Sequence, residues 1–238
     1  MIIVVGLGPG DALHRTHRAT QALESADVIV GYKLYVSLIR DEFPNTPTFE
    51  TAMLGEVARC QKAVELSREG KRVCVVCSGD ASLYGMASLL VELSDENDEI
   101  EVIPGVTAAV SASALLGAPL SGDVALISLS DLLTPWELIT RRLQGATLGD
   151  FCIALYNPSS KKRKDYLARA AKILLDAGHP DSPCGIVRHI GREGEQTELC
   201  TLSDLLTAEV DMFTTVIIGN SITMAKEGRL VTPRGYRK

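Results

Sequence analysis

Long apolar runs are missing from this 238-residue chain. A membrane-spanning helix needs roughly 18 or more consecutive apolar residues. No stretch of the sequence reaches that, so no membrane partner is expected. The opening Met-Ile-Ile-Val-Val-Gly carries neither a basic n-region nor a small-residue cleavage site, so it does not read as a secretory signal, and a cytoplasmic location is expected. An excess of basic residues is missing too. The net charge is −6, whereas nucleic-acid binders ordinarily present a basic face, so nucleic acid is not an expected partner. Internal repeats and low-complexity tracts are absent, which removes repeat architectures. A metal-ligand framework is also lacking. Cys74 and Cys77 have the right spacing, but they lie in a run that reads as a strand, where residues three apart point to opposite faces. The six cysteines are therefore expected to be reduced, half-buried small hydrophobes. His14 and His17 are followed by no second ligand pair and read as solvated or capping residues. No metal is expected.

What is present is an alternation of short apolar runs with amphipathic ones. With 46% hydrophobic residues the chain can build one large core or two small ones. "MIIVVG", "DVIVGY", "RVCVVCSGD" and "EIEVIPG" read as buried strands, and the segments between them as helices. The helix in "MLGEVARCQKAVELSREGK" should stop at Gly70, and "TAAVSASALLGAPL" should stop at Gly117 with Pro119 beyond. This order predicts an α/β fold with a mostly parallel sheet. The second half, with "DVALISLS", "DFCIALYNP", "FTTVIIGNS" and two strands joined by the polar turn of "PCGIVRHIGREGEQTELCTLSDL", predicts a second, mixed sheet. A helix in "TPWELITRRLQGA" should have Thr134 as N-cap and Pro135 at its first position. The expected domains are 1–117 and 122–238, divided in the breaker-rich "GAPLSG".

The first turn, "VGLGPGD", comes close to a dinucleotide fingerprint and fails it. Gly6, Gly8 and Gly10 are evenly spaced, and the position that should hold the third glycine of G-x-G-x-x-G is Asp11. Pro9 removes an N–H that a phosphate could use, and Asp11 adds a negative charge. The acid that should close on a ribose stands at the start of the second strand, as Asp27, and not at its end. No G-x-x-x-x-G-K-[ST] loop occurs either. The turn therefore suits a ligand that approaches main chain closely and is not a polyanion. Two further small-residue loops, "SGDASLYG" (78–85) and "PGVTAA" (104–109), also follow strands, where open α/β sheets gather ligands. Together they offer backbone groups, Thr107 and Asp80, and little positive charge. A cationic ligand bearing a nucleoside fits such a slot; S-adenosylmethionine is one.

"VGLGPGD", "SGDASLYG" and "IPGVTAAVSASALLGAPLSGD" resemble the tetrapyrrole (corrin and porphyrin) methylases. "IALYNPSSKKR", "VRHIGREGEQTELCTLSDL" and "TTVIIGNS" extend the resemblance to about residue 221 and narrow it to the branch that acts on carbon 17 of a corrin precursor. The resemblance implies two α/β domains with the active site in the cleft between them, a homodimer, S-adenosyl-L-methionine as methyl donor and S-adenosyl-L-homocysteine as product. Carried onto this chain, it implies cofactor contacts at Pro9, Ser78, Gly79, Asp80, Leu83, Thr107, Ala108 and Tyr156, and one more from the stretch 188–191, taken at Ile190.

The implied chemistry is methyl transfer to C17 of a tetrapyrrole in cobalamin biosynthesis, either precorrin-3B or its cobalt-containing counterpart cobalt-factor III, coupled to ring contraction. Transfer needs alignment at a sulfonium methyl. Contraction needs one group to give a proton and one to take it, and His189, Asp80 and Tyr156 are the candidates. The substrate's carboxylates require local positive charge, for which Lys161, Arg163 and Arg188 are the candidates, the first two from a basic run where such residues oppose a helix dipole. Trp136 is expected to pack the second domain. Competing readings are a methylase acting at another carbon or on uroporphyrinogen, and a sensor that binds S-adenosylmethionine without turnover.

Overall fold

A computed structural model describes residues 1–160 and 163–236. The chain divides into two units, Met1–Ala108 and Ala109–Lys238.

The first unit runs β1 (Ile2–Gly6), α1 (His17–Glu24), β2 (Val28–Tyr32), α2 (Lys33–Ser37), β3 (Thr48–Thr51), α3 (Glu56–Arg68), β4 (Val73–Cys77), α4 (Ala87–Leu93) and β5 (Ile100–Ile103). The five strands form one parallel sheet in the order β3-β2-β4-β1-β5. β1 is central and every residue of it is buried, which is why it reads as an unbroken apolar run. Ile2 and Val4 point to the face covered by Cys60, Ala63 and Val64 of α3 and Leu90 of α4. Ile3 and Val5 point to the face covered by Ala19, Ala22 and Leu23 of α1 and Val36 of α2. Cys77 lies in the first of these layers and Cys74 in the second, so the strand's two-residue period separates the two thiols as the sequence implied. Burial pushes both thiols up to about 12. α3 ends where expected, with Gly70 at φ +89 immediately after its cap.

The second unit holds α5 (Ala108–Leu116, whose first residue closes the preceding unit), β6 (Gly117–Ala118), β7 (Val124–Ser128), α6 (Trp136–Leu148), β8 (Cys152–Tyr156), α7 (Tyr166–Asp176), β9 (Pro183–Arg188), β10 (Gln196–Thr201), β11 (Thr214–Ile218), β12 (Met224–Lys226) and β13 (Arg229–Val231). Five of its strands form a mixed sheet in the order β10-β9-β11-β8-β7. β7 and β8 are parallel, whereas β9–β10, β9–β11 and β8–β11 are antiparallel. Ile139 and Leu143 of α6 and Leu167 and Leu174 of α7 pack on it with Ile153, Leu155 and Ile186. Truncating any one of these to alanine should cost about 2–5 kcal/mol. Trp136 packs against this core, its ring 4.5 Å from that of Tyr166 and tilted 55° to it.

Beyond β3 and the short α2, which the sequence did not announce, two local features differ from the sequence expectation. α6 begins at Trp136, with Pro135 as its cap residue and no side-chain cap bond. Pro135 is extended at ψ 140, and proline at the N-cap gives up nothing, because that N–H lies outside the helix's bonding. The second feature was invisible in the sequence. β12 and β13 form a hairpin that joins the two-residue β6 in a separate three-stranded sheet. A buried threonine chain secures it: Thr232 donates to the Pro119 carbonyl at 2.6 Å and shares a bond with Thr223 at 2.7 Å.

Candidate active site

In the first unit all five strands point their carboxyl ends the same way, and β4, β1 and β5 are neighbours. The three glycine-bearing loops therefore emerge side by side. Main-chain pairing continues past the strands: Gly8 N–H donates to the Gly79 carbonyl at 3.0 Å and Gly79 N–H to the Gly8 carbonyl at 2.7 Å. Gly8 and Gly79 reach this pairing at φ +78 and +69, where a side chain would be strained. A Cβ on Gly105 would stand 2.2 Å from the Gly79 carbonyl oxygen and 2.7 Å from Gly6 main chain. Only hydrogen fits, so the floor of the loops is bare backbone.

Asp80 locks the arrangement. Its Oδ1 accepts from Ser82 N–H (2.9 Å), Ser82 hydroxyl (2.7 Å) and Leu83 N–H (2.8 Å), and its Oδ2 accepts from Gly105 N–H at 3.0 Å. Partial burial acts to raise its pKa. The bonds from Ser82, Leu83 and Gly105 act against that and hold the carboxyl below its ordinary value. Asp80 is thus an ionised clamp between two loops, with both oxygens engaged. Asp11 is similarly occupied. It caps a single 3-10 turn (Ala12–His14) and accepts from the His14 N–H and ring. No Lys or Arg occurs in residues 7–11, 78–86 or 104–108. Arg15, the nearest in the first loop, is paired with Glu42.

In the second unit the strand register gathers another set. Ser128 pairs with Tyr156, Leu155 with Val216, and Thr214 with Arg188. The ends of β7, β8 and β9 and the start of β11 therefore share one edge of the sheet. Tyr156, Arg188 and His189 meet at this edge, as does Asn157. Asn157 and His189 both adopt left-handed backbone, at φ +53 and +54. Non-glycine residues in that region are held there by their surroundings and concentrate at functional sites. Asparagine tolerates αL, so "YNP" at a strand end was a signal for it, and Asn157 was nonetheless missed. Its amide donates to the Ser128 hydroxyl at 3.0 Å.

The predicted residues differ in how they are engaged. The Tyr156 hydroxyl accepts the Ala109 N–H at 3.1 Å, tying off a first-turn donor of α5 that would otherwise lack a partner. Arg163 donates to Ser160, Ser130 and Asp131, at 3.0, 2.8 and 3.3 Å. Tyr166 donates to the other Asp131 oxygen at 2.5 Å; this bond leads the causes that lower the Asp131 pKa and raise that of Tyr166. Arg188 donates to Glu198 at 2.9 Å and to the Glu209 carbonyl at 2.9 Å. Ile190 is buried. Lys161 lies outside the described residues. His189 Nε2 stands 3.2 Å from Asp211 Oδ2. Asp211 was not anticipated, because its partner lies 22 residues away (211 − 189) on another element. Among the described residues no group of three or more His, Cys, Asp or Glu is placed to hold a metal ion.

A sequence model of the family described as Tetrapyrrole (Corrin/Porphyrin) Methylases matches residues 1–206, and the chain belongs to that family. Within it, the chain is 43% identical to a probable cobalt-factor III C(17)-methyltransferase of Salmonella typhimurium, over 99% of each chain. It is 44% identical to the cobalt-factor III methyltransferase of Priestia megaterium, over all of this chain and 45% of that longer relative. The crystal structure of the methyltransferase CobJ superposes with a TM-score of 0.91 at 36% identity, over 98% of this chain and 99% of that one.

Proposed function

We propose that this protein is an S-adenosylmethionine-dependent C-methyltransferase of cobalamin biosynthesis, methylating C17 of cobalt-factor III with contraction of the macrocycle. The observation that carries the reading is the 43% identity with the Salmonella relative along 99% of both chains. The loops after β1, β4 and β5 fit the methyl donor by their chemistry. They present main chain at Gly8–Pro9, Gly79–Asp80 and Thr107–Ala108, and no cation that would repel a sulfonium.

When bound, S-adenosylmethionine supplies an electrophilic methyl on a positively charged sulfur. The chain's part is to hold that methyl in line with the accepting carbon, and orientation alone can supply much of a rate enhancement. Charge is lost from sulfur in the transfer, so a slot of low polarity favours the transition state over the ground state. No base beside the methyl is required. Asp80 contributes by fixing the loops. Tyr156 contributes by anchoring the first turn of α5. His189 is the side chain we assign to proton movement in ring contraction, since an imidazole can both give and take a proton and this one lies at the same sheet edge as Tyr156 and Arg188. Lys161, Arg163 and Arg188 are the proposed partners of the substrate's carboxylates, the two arginines by sharing a guanidinium already paired with Asp131 or Glu198. A homodimer in the cytoplasm completes the proposal, on the strength of the family resemblance; light scattering on a sizing column reads the mass.

The test is incubation with methyl-labelled S-adenosylmethionine and cobalt-factor III, followed by mass spectrometry and absorption spectroscopy. One labelled methyl on C17 and loss of the starting chromophore are expected. A methyl on another carbon, turnover of uroporphyrinogen instead, or tight donor binding without any methylated product would each overturn the proposal.

A further inference from the structure

The turn that opens β11 is built around His189. Asp211 Oδ1 accepts the Phe213 N–H at 2.9 Å and the Thr214 hydroxyl at 2.8 Å, and the Asp211 N–H donates to Thr214 Oγ1 at 3.2 Å. These bonds aim Oδ2 at His189 Nε2, 3.2 Å away. The histidine is joined to the same turn twice more. Its N–H donates to the Phe213 carbonyl at 3.1 Å, and its ring packs on that of Phe213, 5.5 Å between centres and tilted 37°. His189 accepts left-handed backbone to sit there.

Stability does not explain this construction. The two side chains are 35% and 47% exposed, and an ion pair so open to water contributes little to folding. A left-handed non-glycine residue works against folding. What the arrangement does is fix a proton. An ionised carboxylate can only accept, so one placed 3.2 Å from Nε2 favours the neutral imidazole that carries its hydrogen there. The Nδ1 lone pair is then the ring's free basic site, held in one orientation. Carboxylates placed behind histidines set tautomer and direction in this way.

We propose that Asp211 is a positioning residue for His189: it holds the Nε2–H tautomer and so makes Nδ1 the atom that takes up, and later returns, the proton moved during ring contraction. In the uptake step one substrate O–H or N–H bond breaks and the Nδ1–H bond forms. The bonding pair stays on the substrate atom, and the imidazolium charge is set against Asp211. No oxidant or reductant is required. Other charged groups nearby are already engaged: Arg188 by Glu198, Arg192 over the Phe213 ring at 5.3 Å, and Glu195 by the Gly191 N–H. This inference rests on the function proposed above for the role of the proton, while the tautomer itself does not.

Two measurements on the full chain test it. Long-range ¹H–¹⁵N spectra, taken at alkaline pH where imidazoles are neutral, resolve the four histidines. His189 is expected as Nε2–H in the natural protein and as a mixture in Asp211→Asn. Steady-state kinetics with cobalt-factor III should show kcat at least tenfold lower in Asp211→Asn with KM within threefold. Asp211→Glu should recover part of the loss, and adding Asp211→Asn to His189→Ala should lower kcat no further. An Nδ1–H tautomer in the natural protein, kcat within twofold in Asp211→Asn, or additive losses in the double variant would overturn the inference. Absence of any methyl transfer by the natural protein would overturn the proposed function instead, and the tautomer spectrum would still decide whether Asp211 orients His189.

Discussion

Replacing Gly105 by alanine adds a single methyl group at a main-chain contact that leaves no room for one. The new Cβ would stand 2.2 Å from the Gly79 carbonyl oxygen, with Gly6 carbon and oxygen both at 2.7 Å. All three neighbours are backbone, so no side chain can rotate away. A carbon–oxygen contact needs a full ångström more than 2.2 Å, and gaining it means displacing Gly79. That residue carries the Gly8–Gly79 pairing and precedes the Asp80 clamp on Gly105 N–H. Overpacking of this kind typically costs about 1–3 kcal/mol; with rigid partners the upper half of that range is expected. At roughly 2–4 °C per kcal/mol for a chain of this size, Tm should fall by about 4–12 °C. If the displaced loops forfeit even ~1.4 kcal/mol of ligand binding, Kd rises tenfold. The assays are calorimetric titration with S-adenosylhomocysteine and a thermal melt. Gly145→Ala is the control, because a Cβ there meets nothing within 4 Å and lies inside α6. The same methyl there should stabilise by about 0.5–1 kcal/mol. Kd within twofold and an unchanged Tm for Gly105→Ala would refute the idea that three bare-backbone loops form the donor site.

Other outcomes follow from the charge and thiol states. The Asp80 pKa is lowered in the folded chain, so its contribution is full above the ordinary value of 3.8 and is lost as pH falls through the lower folded value. Donor affinity, read by fluorescence or calorimetry at acid pH, should drop in that window, and Asp80→Ala should remove the acid-dependent step and cost about 1–3 kcal/mol at neutral pH by stranding the Gly105 and Leu83 N–H groups. Burial pushes the thiols of Cys74, Cys77 and Cys200 up to about 12 and that of Cys60 up to about 11. Ellman's reagent at pH 8 should therefore label these four slowly in the native protein and rapidly in guanidinium; fast native labelling would contradict the burial described here.

Much of the fold could be read from the sequence because its causes are local. A strand buried on both faces must be apolar throughout, which made β1, β2 and β4 visible. A helix ending at a residue with positive φ needs glycine, which exposed Gly70. The three loops after β1, β4 and β5 were legible as turns of bare backbone because close main-chain approach demands glycine at Gly6 and Gly105, and a positive φ demands it at Gly79. Even the separation of Cys74 from Cys77 came from the two-residue period of a strand.

The sequence alone therefore determined the buried strands and the longer helices, where the bare-backbone loops fall and what charge they lack. Only the tertiary structure decided which polar groups meet. Asp80 could be seen beside Ser82, but its bond to the Gly105 N–H depends on β4 and β5 flanking β1. Nothing near Asp211 in the sequence points to His189, and nothing near Arg163 points to Asp131, because each pair is created by strand register across the second sheet. The two residues of β6 show no pattern until β13 arrives beside them. Hydrophobic periodicity and turn chemistry act within a few residues and leave their mark there; a hydrogen bond between distant segments constrains only the final geometry, so its two ends look like any other polar residues until the chain has folded.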